Sequence, residues 1–238
     1  MAGILERSAA VRETASSWLF RSRNRHAQDV RLRARIEADA FARMTPYWRA
    51  LGFPFGSLVP SLATAIGSSA DRPIALADLL GVIVNDGVRR PLLRLARLDF
   101  ATATPYETTV IPDPVAGQRV MEPEVAAALR ATLAGVVEAG TARRLRGAFA
   151  DHDGHLIVAG GKTGSGDNRF ETFRRGGGVI SSRPINRTAT FVYYIGERYF
   201  GAVTAHVPGR IASEYEFTSA LPVSVLKLSA PILNARLS

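Results

Sequence analysis

One stretch of this chain concentrates residues able to do chemistry: Ala159-Gly160-Gly161-Lys162-Thr163-Gly164-Ser165-Gly166. An apolar run leads into a lysine, a threonine and a serine spaced by glycines. A lysine ammonium is a compact charge whose pKa the surroundings can tune, which a guanidinium does not allow. A strand left unpaired on one side can take up an extended peptide as a further strand. Glycines at 160, 161, 164 and 166 would let that peptide come close to the backbone. The lysine is also conspicuous by scarcity. Lys162 and Lys227 are the only lysines among 30 basic residues.

Three other constellations compete with this reading. Gly161-Lys162-Thr163 could close a phosphate-binding loop, but Leu156 stands where that motif requires its first glycine. A helix should then start at once, and Gly164-Ser165-Gly166 is poor helix material. Asp151-His152-Asp153-Gly154-His155 carries metal-ligand types, yet Asp-Gly before a strand is ordinary turn chemistry and no third ligand spacing accompanies it. The expectation there is a plain turn, with no metal and no cofactor. Ser224-Val225-Leu226-Lys227 matches Ser-x-x-Lys literally, and i,i+3 spacing puts both side chains on one helix face. It lies after Lys-Thr-Gly, in a segment that reads as a packing helix.

The 238 residues are 47% hydrophobic and 21% charged, a globular composition with room for one large domain or two small ones. No apolar run approaches the ~18 residues of a membrane span. The first residues lack the basic and apolar regions of a signal peptide, so no export signal is expected in this chain. The absence of cysteine excludes disulfides, thiolate metal sites and a cysteine nucleophile. The formal charge of +9 comes from arginines scattered over residues 21–35, 89–97 and 143–146. They form no nucleic-acid module, and nucleic acid is not an expected partner.

The elements that must position Lys162 read as helices first and strands later. A loose apolar side marks a helix over the first 20 residues. A second helix spans Ala27 to Leu51, with Pro46 ending or bending it. Residues 52–60 form a Gly/Pro loop. Pro73 opens a helix that stops at Asn85-Asp86-Gly87. Thr108 to Ile111 is a short strand, and Pro123 starts a helix closed by Gly140. Leu156 to Thr163, Thr188 to Ile195 and Tyr199 to Val207 are β-rich, the last two joined by a tight Gly-Glu-Arg turn. Residues 164–187 read as a polar, glycine-rich loop. Pro222 to Leu237 is a closing helix with a break near Pro231. The arrangement is α+β, with residues 1–150 mainly helical and 151–238 carrying the sheet and terminal helix.

In order, the chain carries Ser22-x-Asn24, Leu51-Gly52-Phe53, Val59-Pro60-Ser61-Leu62-Ala63, Asn85-Asp86-Gly87, Val136-Val137-Glu138-x-Gly140-Thr141-Ala142, Gly161-Lys162-Thr163-Gly164 and Ala189 to Gly196. This ordered set resembles the C-terminal part of the transpeptidase domain of class A, bifunctional penicillin-binding proteins, over roughly residues 15 to 235. The resemblance implies a β-lactamase/transpeptidase-like fold, here incomplete. Its early strands and nucleophile helix would belong to an N-terminal part of the same protein.

The resemblance further implies the following roles. Ser22 would join a proton relay to the leaving amine, and Asn24 would bond the bound peptide's amide. Lys162 would tune that relay and attract the terminal carboxylate of a D-Ala-D-Ala stem peptide or a β-lactam. Thr163 would bond that carboxylate, Gly164 would leave room for the ligand, and the Ser165 N–H would form half of an oxyanion hole. The partners implied are peptidoglycan stem peptides or β-lactams and the missing N-terminal part, which alone would reach the membrane. The whole protein would work at the periplasmic face of the bacterial inner membrane. No Ser-x-x-Lys precedes Lys162, so the chain by itself is expected not to acylate. A non-catalytic D-Ala-D-Ala-binding or regulatory module on a degenerate transpeptidase fold is the alternative.

Overall fold

A computed structural model describes residues 24–51, 58–62, 64, 72–93, 95–113, 115–174 and 178–237, together with Glu13 and Ser17. The remainder of the helix expected over the first 20 residues, Ser22, and most of the 52–71 region lie outside the described residues. The chain divides into two compact units, one of Met1–Arg49 with Phe55–Ala70 and one of Ala50–Pro54 with Asp71–Ser238.

The first unit is built on helix α1, Arg25–Ala50. Asn24 starts it, its side-chain oxygen accepting the backbone N–H of His26 at 2.9 Å and of Ala27 at 3.3 Å. Those are two of the donors that a helix start leaves without a carbonyl. Pro46 lies inside the helix and does not end it. So late in the element the ring removes a single backbone bond, and Thr45 Oγ1 donates to the Phe41 carbonyl at 2.7 Å beside it. Phe41 is the buried anchor of this helix.

The second unit begins with α2, Pro73–Val84, whose proline occupies the first turn as expected. Its end also follows the sequence reading. Asp86 and Gly87 adopt positive φ of 53° and 83°, and the Gly87 N–H returns to the Val82 carbonyl at 2.8 Å. A side chain at Gly87 would begin 2.0 Å from the Met121 carbonyl, so glycine is required there on two counts. Short antiparallel pairs follow: β1 (Val88–Arg89) with β4 (Gln118–Arg119), and β2 (Leu98–Phe100) with β3 (Thr108–Val110). Helix α3, Pro123–Glu138, again opens on a proline.

The main sheet is antiparallel, in the order β5-β6-β7: β5 Ala159–Phe173, β6 Val179–Ile195, β7 Tyr199–Pro208. The β6–β7 connection is the predicted Gly196 turn, at φ 61°. Within the expected loop of residues 164–187, by contrast, residues 164–173 and 179–187 are strand. β5 and β6 continue as a ribbon past the end of β7, Arg169 pairing with Pro184 and Thr172 with Ser181. Cross-strand contacts supply what composition does not. Arg169 Nε donates to Ser182 Oγ, Ser182 Oγ donates to Glu171, and the Arg183 guanidinium lies 5.1 Å from the Phe170 ring centre. Pro184 sits beside a register shift next to Asn186, where a missing N–H is tolerated.

Both faces of the sheet are covered. On one, Ala159, Phe191 and Ile195 pack with Phe149, Leu145, Val223, Leu226 and Ala230. Several of these come from α4, Ala220–Asn234, which runs through Pro231 with no break. Placed in the last turn, that proline again costs a single bond. On the other face, Tyr194, Val192 and Phe200 meet Leu80, Ile83 and Val84 of α2 and Leu133 of α3. Gly81 lets the Phe200 ring lie against the α2 backbone, since an added Cβ would sit 2.6 Å from it. No described helix is long and apolar enough to cross a membrane. Leu221, Val225, Leu228 and Ile232 form an exposed stripe on the outer side of α4.

Burial raises the pKa of both Tyr193 and Tyr194, and Tyr194 donates to the Arg130 carbonyl at 2.8 Å. The folded state therefore holds these phenols protonated. That contribution is complete below the usual tyrosine pKa of about 10 and is lost as pH rises through the raised values. The urea midpoint should stay level from neutral pH to about 9 and then fall. Tyr194→Phe should lose about 1 kcal/mol at pH 7, from the missing hydrogen bond, and show a shallower alkaline decline.

Candidate functional site

The Lys-Thr-Gly segment lies on β5, which is an edge of the main sheet. Among the described residues nothing pairs with its outer side. The other side is pinned to β6 in the register Gly160↔Tyr194, Gly161↔Tyr193, Lys162↔Val192, Thr163↔Phe191, Gly164↔Thr190 and Ser165↔Ala189. An edge strand held along one side presents its outer N–H and C=O groups at fixed spacing, the template an extended peptide needs.

The glycines divide into two pairs. A Cβ at Gly160 would lie 2.4 Å from the Tyr194 ring, and one at Gly161 would lie 2.2 Å from the Val192 carbonyl and 2.8 Å from the Phe191 ring. The protein's own rings fill these spaces, so Gly160 and Gly161 serve strand packing rather than ligand approach. Gly164 and Gly166 face open space, with nothing within 4 Å of an added Cβ. The room expected for a ligand is confined to these two.

Each polar side chain of the segment is tied. Lys162 Nζ donates to the Thr163 carbonyl at 2.6 Å. Thr163 is buried, 8% exposed, and its hydroxyl lies 2.6 Å from the hydroxyl of Thr141. Ser165 Oγ accepts the backbone N–H of Ser219 at 2.6 Å, next to the start of α4. Lys162, Thr163, Gly164 and Ser165 are thus brought together on one strand. Asn24 belongs to the first unit and caps α1, and Ser22 lies outside the described residues. Thr141 and Ser219 were not read as site residues. Thr141 stood in the Gly140-Thr141-Ala142 motif without a role, and only tertiary contact shows what either hydroxyl or N–H meets.

The competing constellations resolve structurally. Lys162-Thr163 is followed by ten more residues of strand, not by a helix, so a phosphate-binding loop is excluded. Asp151 accepts the N–H of Asp153 at 3.0 Å and of His155 at 2.8 Å, and His155 Nδ1 lies 3.2 Å from its other oxygen. The bond from the His155 N–H is the largest cause holding this exposed carboxyl below its usual pKa. Asp151, Asp153 and His155 each bring one ligand-type atom within 4.8 Å of the others, so the third group that the sequence reading did not count is present in this hydrogen-bonded turn. Ser224 Oγ accepts from Arg144 at 3.1 Å. A guanidinium donating to a hydroxyl does not deprotonate it, so the group has no activating base from that side.

Comparison with known proteins follows the same lines. The family model described as the penicillin-binding protein transpeptidase domain matches residues 14–206. No curated protein matches the chain. Among solved structures, penicillin-binding protein A from M. tuberculosis, as an imipenem acyl-enzyme complex, aligns at 17% identity and TM-score 0.50 over 78% of this chain and 41% of that one. Penicillin-binding protein 3 from the same genus, complexed with aztreonam, aligns at 18% identity and TM-score 0.49, over 81% and 45%. The D,D-transpeptidase domain of a peptidoglycan glycosyltransferase from Eggerthella lenta aligns at 16% identity and TM-score 0.47, over 84% and 50%. The chain thus spans half or less of each of these structures. The fold is the α+β transpeptidase/β-lactamase-like one.

The two glycine pairs should respond differently to substitution. Gly161→Ala forces β5 away from β6 and should cost about 2 kcal/mol in a urea titration. Gly164→Ala should stay within about 0.5 kcal/mol of the parent chain.

Proposed function

The chain belongs to the penicillin-binding protein transpeptidase domain family, and from that premise we propose that it supplies part of a serine acyl-enzyme site for peptidoglycan crosslinking. The observation that carries this is Lys162-Thr163-Gly164-Ser165 on a sheet edge, open outward beside Gly164 and pinned by β6 behind. A D-Ala-D-Ala stem peptide or a β-lactam would lie along that edge. The Lys162 ammonium would hold its carboxylate by charge, and the Thr163 hydroxyl would donate to it. The Ser165 N–H would face the carbonyl oxygen under attack, as one oxyanion-hole donor. By the family's pattern, Ser22 would pass the proton to the leaving amine and Asn24 would bond the bound peptide's amide.

The nucleophile itself would come from an N-terminal part of the parent protein. In this chain only Ala159 and Ser224 stand three residues before a lysine, and Ser224 lies in a packing helix. Alone, the chain is therefore a binding wall that does not acylate. The motif order supports a class A parent, with a glycosyltransferase domain ahead of the transpeptidase. Such a parent would be held at the periplasmic face of the inner membrane through its N-terminal part.

Two measurements test this. The purified chain, incubated with a fluorescent penicillin and denatured, should carry no covalent label. A labelled band would overturn the claim of inactivity and direct attention to Ser224 or Ser22. Titrated with benzylpenicillin, the 15N-labelled chain should show saturable shifts at the Gly164 and Ser165 amides. Lys162→Met should weaken that binding about tenfold or more. Silence at those amides in the parent chain would sink the carboxylate role. The reading frame upstream of Met1 should encode a Ser-x-x-Lys and, before it, a glycosyltransferase domain. A transpeptidase half with no such domain would overturn the class A assignment.

A further inference from the structure

A threonine hydroxyl carries one proton to donate and two lone pairs to accept with. Thr163 has its hydroxyl 2.6 Å from that of Thr141, and either oxygen could be the donor. If Thr163 gives its only proton to a ligand carboxylate, Thr141 must be the donor between the two. We propose that Thr141 is a positioning residue: its O–H donates to Thr163 Oγ1 and turns the Thr163 proton toward the outer edge of β5, where an anionic ligand is held. This rests on the carboxylate-binding role proposed for Thr163 above.

The surroundings hold Thr141 for such a task. Helix α3 ends in a tight turn directly before it. The Ala139 and Gly140 N–H groups both reach the Gly135 carbonyl at 3.1 Å, and the Ala142 N–H reaches the Val136 carbonyl at 3.0 Å. Gly140 is needed for that turn, because a Cβ there would sit 2.8 Å from the Val136 Cα. Ala142 and Leu145, just beyond, are fully buried in the core. The backbone around Thr141, an exposed residue, is thereby held on both sides.

Thr163 is in turn gripped at two points, by Thr141 at its hydroxyl and by Lys162 at its carbonyl. Hydrogen bonds in series polarise one another, so a Thr141→Thr163→carboxylate chain, part-buried at its inner link, would strengthen the outer bond. A hydrophobic side chain of equal size at 141 would keep the packing and remove the donor. Thr163 would then point its proton as solvent and ligand dictate, with no fixed bias.

The test uses the 238-residue chain, 15N-labelled and titrated with benzylpenicillin and with benzylpenicillin methyl ester, which lacks the carboxylate. Thr141→Val should weaken benzylpenicillin binding about three- to tenfold, the worth of one hydrogen bond. It should leave the weaker binding of the ester unchanged. Thr141→Ser should restore the parent affinity, and Thr141→Val should have no further effect in a Thr163→Val background. A purely structural Thr141 would instead affect acid and ester alike, and that result overturns the proposal. Equal benzylpenicillin affinity for Thr141→Val and the parent chain also overturns it, while leaving the carboxylate role of Thr163 intact. Failure of the parent chain to bind benzylpenicillin removes the carboxylate role itself, and the proposal with it. Should Thr141→Val not fold, Thr141→Ala takes its place, with the same acid-against-ester comparison.

Discussion

The close seating of β5 on β6 is the constraint on which the rest of the molecule depends. The Tyr194 and Phe191 rings occupy the space that side chains at Gly160 and Gly161 would need. Aromatic rings laid over cross-strand glycines recover the apolar contact that glycine alone forfeits. They also fix register, because a one-residue slip would set a ring against Lys162 or a side chain against a carbonyl. Tyr194 extends the same anchor to α3 through the Arg130 carbonyl. With one side of β5 secured in this way, its other side stands as a row of backbone groups, and the proposed site lies along that row.

Rigidity of the edge has a second source in the polar ties behind it. Thr163 and Ser165 face the layer that holds α4, and each finds a partner there: the Thr141 hydroxyl and the Ser219 N–H. Thr163 is buried, and a buried hydroxyl without a partner would cost more than the bond it could make elsewhere, whereas the Ser165 tie lies at the exposed surface. Lys162 lies on the opposite side of the strand from Thr163, in register with Val192. Adjacent residues thus place their side chains on two faces of one strand, as period-two alternation requires.

Much of this was legible beforehand, and the reasons are local. Pro73 and Pro123 mark helix starts because a first turn does not use the missing N–H. Asn85-Asp86-Gly87 marks a stop because positive φ is nearly free for glycine. Gly196 marks the hairpin turn for the same reason. The ribbon formed by residues 164–173 and 179–187 was not legible. Glycines, arginines and serines read as loop when taken singly, and they become strands because Arg169, Ser182, Glu171, Phe170 and Arg183 complete one another across the pairing. The two helix prolines misled in the opposite sense, since Pro46 and Pro231 both fall so late that little helix remains to be lost.

The sequence by itself determined the kind of residues at the site and their order: one scarce lysine, a threonine and a serine between glycines, in a segment able to form a strand. Those are facts of composition and short-range geometry, and they carry the family resemblance. Tertiary structure alone decided which glycines pack and which stay open, for identical residues differ there only in what lies across the strand. It also decided that Thr163 meets Thr141, across 22 residues of sequence. Such a contact depends on where a helix ends in space, and no spacing in the chain encodes it.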